Sequence, residues 1–75
     1  MRSRKYYYQC VAECGCCERY MVFVPATDVE AARRIVRELY VRLYDNIPFS
    51  VACKKISKKE YEYYKSEKDR YNIYE

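Results

Sequence analysis

Alternation opens the chain. Tyr6, Tyr8, Cys10 and Ala12 fall on one side of an extended backbone, and Tyr7, Gln9 and Val11 on the other. That period of two, in β-compatible residues, predicts a strand over 6–12. Residues 19–24 (Arg-Tyr-Met-Val-Phe-Val) make a second β-type run. Between the two lies Glu13-Cys14-Gly15-Cys16-Cys17-Glu18, with the only glycine. The expectation is a β-hairpin with a cysteine-bearing tip, where Gly15 supplies a positive φ. Pro25-Ala26 ends the second strand.

The period then changes. Thr27-Asp28-Val29-Glu30 reads as a capping box, with the Thr27 hydroxyl serving the Glu30 amide. Val29, Ala32, Val36, Leu39, Tyr40 and Leu43 follow at helical spacing, and Glu30, Arg34 and Glu38 alternate in sign on the wet side. This helix should end near Asp45, because Asn46 and Pro48 come next. Residues 49–56 predict a third strand, with Phe49, Val51 and Cys53 on one face and Ser50, Ala52 and Ile56 on the other. Ser57-Lys58-Lys59-Glu60 is a second capping box. It opens a charged helix with Tyr61, Tyr64 and Tyr71 in a stripe, Tyr63 beside it and Tyr74 extending it. The tail, residues 71–75, is expected to fray.

The resulting fold class is α+β: one small domain over 1–75, ordered ββαβα, with a basic arm at 1–5 and a three-stranded sheet packed by helices over one face. The third strand is expected to lie parallel to the second through a crossover. A chain of 75 residues buries a small core, which favours a homodimer through the sheet edge or the Tyr-rich helix.

Composition narrows the function classes. At 51% hydrophobic and 35% charged residues, the chain folds. No apolar run is long enough to span a bilayer and none follows the charged start as in a signal peptide, so an intracellular, cytoplasmic protein without membrane contact is expected. Amides are sparse (Gln9, Asn46 and Asn72), a bias found in proteins of hot organisms. There is no His, so the usual acid–base group is missing and no cysteine has the imidazole base that nucleophilic catalysis requires. One glycine excludes a glycine-rich phosphate loop. Glu60/Glu62 and Glu67/Asp69 stand two residues apart, which on a helix points them to different sides. No enzyme is expected.

Two features carry chemistry. Cys14 and Cys17 have C-x-x-C spacing, and with Cys10 and Cys53 could supply four thiolates to zinc. A disulfide, or free thiols with Cys10 and Cys53 as small buried groups, fits the same residues, and no other cofactor is implied. The second feature is charge. Residues 1–59 carry twelve basic and six acidic side chains, whereas 60–75 carry three and five. The excess lies at Arg2, Arg4 and Lys5; at Arg33, Arg34 and Arg37; and at Lys54, Lys55, Lys58 and Lys59. Eleven tyrosines accompany it.

The expectation is a small non-enzymatic binding or regulatory module. Its basic, Tyr-rich surface would engage nucleic acid or a nucleic-acid-associated, acidic protein. Its contacts would be Arg2, Arg4, Lys5, Tyr7, Arg33, Arg37, Lys54, Lys55, Lys58 and Lys59. The alternatives are a protein–protein inhibitor or adaptor without nucleic-acid contact, a class that viruses also encode, and a zinc- or disulfide-stabilised structural protein.

Overall fold

The structure is a computed structural model that describes residues 4–15 and 19–74. Arg2 and Cys17, both among the expected contacts or ligands, lie outside the described residues. The elements are β1 (Tyr6–Glu13), β2 (Arg19–Ala26), α1 (Val29–Tyr44), β3 (Ser50–Ile56) and α2 (Lys58–Ser66). The order is the expected ββαβα.

The sheet runs β2-β1-β3, and both of its ladders are antiparallel. β3 therefore points the same way as β2, as a crossover through α1 requires. It does not pair with β2, however. It passes to the far side of β1, opposing Tyr7 to Ile56 and Cys10 to Cys53. β1 thus becomes the central strand, with Cys10 and Ala12 wholly buried.

The two helices lie on opposite faces, not on one. The period of two decides this. Tyr8, Cys10 and Ala12 of β1 and Val22, Val24 and Ala26 of β2 turn toward α1, which brings Ala32, Val36 and Tyr40. The alternate residues, Tyr7, Met21 and Phe23, turn the other way with Ile56 and meet Tyr61, Tyr64, Tyr71 and Ile73. The first core is mostly aliphatic. The second is a stack of rings. Tyr7 and Tyr61 lie 4.4 Å apart between centroids, and Phe23 and Tyr64 lie 4.2 Å apart, both stacked. Tyr71 meets Phe23 edge-on at 5.8 Å. Such pairs add about 0.5–1.5 kcal/mol each beyond the area they bury.

The ends of the elements refine the sequence reading. β2 continues through Pro25 to Ala26, because Pro25 lies on an edge strand where a missing N–H is tolerated. The N-cap of α1 is consequently Asp28, one residue later than Thr27; its carboxylate accepts from the Ala31 N–H at 2.8 Å. α1 closes at Asp45, whose left-handed φ of 52° lets its N–H donate to the Val41 carbonyl. Gly15 does not have a positive φ, and a Cβ there would meet nothing within 4 Å. Ser57 and Glu60 form the expected capping box of α2.

Two apolar residues of the sequence pattern are outside the core. Leu43 falls in the last turn of α1, past the sheet, and Phe49 precedes β3; they are 56% and 84% exposed. The tail is held rather than frayed. Beyond α2 the chain turns back along β2, where the Phe23 N–H donates to the Asn72 carbonyl and the Tyr74 N–H to the Phe23 carbonyl, each at 2.9 Å. The Asn72 side chain also donates to the Met21 carbonyl. The outer edge of β2 is therefore partly covered by the chain's own end.

Tyr61→Ala removes a ring that is buried against Tyr7, and should cost about 3 kcal/mol in equilibrium denaturant unfolding. Tyr63→Ala, at the exposed neighbour, should stay within about 0.5 kcal/mol of the parent. Equal losses at the two positions would contradict the placement of α2.

Candidate nucleic-acid interface

Where β1 begins and β3 ends, the two strands bring the start of the chain beside the start of α2. Antiparallel pairing forces this, since Tyr7 opposes Ile56 and Tyr8 opposes Lys55. The result is an open notch of about 420 Å³ lined by Arg4, Lys5, Tyr6, Tyr7, Lys55, Ile56, Ser57 and Lys58. Four cations line it and no acidic side chain does.

Two of these cations, Arg4 and Lys55, attend the Tyr6 ring. The Lys55 ammonium lies 4.0 Å from its ring centroid and the Arg4 guanidinium carbon 5.8 Å. Both are within reach of the negative face of the ring, which is worth about 0.5–1 kcal/mol at an exposed site. Tyr7 forms part of the wall, with its ring stacked on Tyr61. The N-terminus of α2 carries a capping box that satisfies two of its free N–H groups. One Glu60 carboxylate oxygen accepts from the Ser57 N–H and hydroxyl, each at 3.2 Å, while the Ser57 hydroxyl oxygen accepts from the Glu60 N–H. Attraction of an anion into the notch rests chiefly on the four side-chain charges.

Of the expected contact residues, Arg4, Lys5, Tyr7, Lys55 and Lys58 are brought together. The others are dispersed. Lys54 alternates with Lys55 and lines a shallow groove with Gln9, Val11 and Ala52. Lys59 is exposed on α2 outside the notch lining. Arg33 and Arg37 lie on α1, outside the notch lining. Arg33 also has the acidic neighbour that the sequence spacing did not suggest: Glu30 pairs with it at 3.3 Å, three residues back rather than four. Tyr6, Ile56 and Ser57 are the lining residues that sequence reasoning missed. The run Arg4-Lys5-Tyr6 was a visible signal; the pairing that sets it against Lys55 was not.

The tyrosines are mostly consumed by the interior. Tyr8, Tyr40 and Tyr61 are buried, six others are half-buried, and only Tyr63 and Tyr74 are exposed. The expected broad tyrosine surface is therefore reduced to half-buried Tyr6 and Tyr7 in the notch and to Tyr63 and Tyr74 outside it.

The cysteine set is divided as well. Cys10 and Cys53 face each other across β1 and β3. Cys14 lies beyond the end of β1, four residues on, where its sulfur accepts from the Asn46 amide at 3.6 Å. Among the described residues no three His, Cys, Asp or Glu side chains are grouped closely enough to hold a metal, and Cys10 and Cys53 are free thiols. No helix among the described residues is long and apolar enough to cross a membrane. No family model, characterised protein or solved structure matches the chain.

Burial raises the Tyr8 phenol above its ordinary value of 10.0, and the Asp28 carboxylate adds to the rise. The unfolded chain therefore loses this proton first. Stability from Tyr8 is complete below about pH 10 and declines as pH rises above it. Thermal melts from pH 8 to 11 should show that decline in the parent and a smaller one in Tyr8→Phe. Parallel profiles would contradict it.

Proposed function

We propose that the protein is a non-catalytic binding module that docks on the phosphate backbone of nucleic acid through the notch at the head of α2. The observation that carries this reading is the convergence of Arg4, Lys5, Lys55 and Lys58, from three separate parts of the chain, in one notch without an acidic side chain in its lining, two of them over the Tyr6 ring. Cations at this density repel one another, and an anionic partner relieves that repulsion. Phosphates spaced along a strand suit four side-chain cations arranged around an open notch. Because Lys55 and Arg4 already attend the Tyr6 ring, the contact is chiefly ionic, with stacking secondary and little sequence preference.

A second reading is favoured by one observation. Leu43, Ile47 and Phe49, around the turn from α1 to β3, expose 56, 72 and 84% of their surface. Three large apolar side chains so close in sequence suit a protein partner, as an inhibitor or adaptor would have.

Salt separates the two. Four phosphate contacts predict that log K for a single strand falls against log salt with a slope of about −3, and that Lys55→Glu with Lys58→Glu weakens binding and flattens the slope by at least about 1.4. Fluorescence anisotropy with a labelled single strand measures both. Salt-independent association, or an unchanged slope in the double variant, would remove the nucleic-acid reading.

A further inference from the structure

Cys10 and Cys53 are register partners in the middle of the β1–β3 ladder. Directly opposed residues of an antiparallel pair have Cα atoms about 4.5 or 5.5 Å apart according to the pair type, and both separations suit a disulfide. The two thiols are already in hydrogen-bond contact, yet they are not joined. Their surroundings differ. Cys10 is on the central strand with no exposed surface, among Tyr8, Ala12, Val22 and Val36. Cys53 is on the edge strand and half-buried. The hydrogen bond with Cys53 holds the proton on Cys10, and burial reinforces it. The same hydrogen bond lowers the Cys53 thiol; the Arg33 guanidinium helps, against burial and the Glu30 carboxylate. Cys53 is thus the more accessible and more readily ionised thiol, and Cys10 its enclosed partner.

We propose that Cys10 and Cys53 form a thiol–disulfide exchange site that takes a low-molecular-weight disulfide and closes to a cross-strand bond. The Cys53 thiolate attacks one sulfur of the small disulfide. A new S–S bond forms on Cys53, the old one breaks, and the departing thiolate takes up the proton that Cys53 gave to solvent. Cys10 then loses its proton and attacks the Cys53 sulfur, expelling the second small thiol. Two cysteine thiols are oxidised, one small disulfide is reduced to two thiols, and the edge strand becomes stapled to the central one. This site is distinct from the notch and does not depend on what the notch binds.

The test uses the full chain with Cys14, Cys16 and Cys17 changed to Ser, incubated natively with oxidised glutathione. After alkylation and trypsin, without reduction, the peptide of residues 6–19 should appear linked to that of 43–54. Adding Cys10→Ala should abolish the link and leave glutathione on Cys53. Adding Cys53→Ala should leave neither link nor adduct. In the unaltered, reduced chain, pulsed native alkylation should label Cys53 before Cys10, a reading that needs no core substitution. Two free thiols persisting in the triple variant, a glutathione adduct on Cys10, or labelling of Cys10 first would each overturn the proposal.

Discussion

β1 has to bury both of its faces, and the rest of the molecule follows from that constraint. A central strand in a three-stranded sheet sends alternate side chains to opposite sides. Here one side carries Tyr8, Cys10 and Ala12 and the other carries Tyr7. Among the described residues two helices are available to cover them. α1 brings an aliphatic stripe to the first face. α2, short and highly charged, has little aliphatic surface, so the second face is closed by rings: Tyr61 on Tyr7 and Tyr64 on Phe23. The many tyrosines are explained first by this need. They supply ring area to a thin core while their hydroxyls reach its rim.

The candidate site is a by-product of the same arrangement. Stacking Tyr61 on Tyr7 seats the start of α2 beside the start of β1, and the β1–β3 ladder delivers Lys55 to the same corner. Cations distant in sequence are thereby assembled at one end of the sheet, while those of α1 lie outside the notch lining. The cysteine pair arises from that ladder too. A shift of one residue in register would part Cys10 from Cys53 and Tyr8 from Lys55 together.

Much of the architecture was legible from periodicity. The strand alternation, the α1 stripe and the Ser57–Glu60 box are local signals, and each is realised in place. What failed was long-range. Nothing local says whether β3 joins β2 or passes beyond β1, because direction and adjacency are separate matters in a crossover. Nor does local pattern say that Tyr7 and Phe23 form a second core, since alternation reports two faces without telling which of them is wet. Ile73 and Asn72 looked like a loose end because their partner, β2, is about fifty residues away. At the site, the basic runs were visible and their grouping was not: Lys54 and Lys55 are neighbours in sequence but lie on opposite faces of one strand.

The most direct test of the account is residue-resolved. Amide chemical shifts of the full chain, followed while a short single-stranded oligonucleotide is titrated in at low salt, report which surface meets the phosphates. The account predicts that the largest changes fall at Arg4–Tyr7 and Lys55–Lys58 and reverse when salt is raised. Changes centred on Leu43–Phe49, or none at the head of α2 at saturating oligonucleotide, would contradict it.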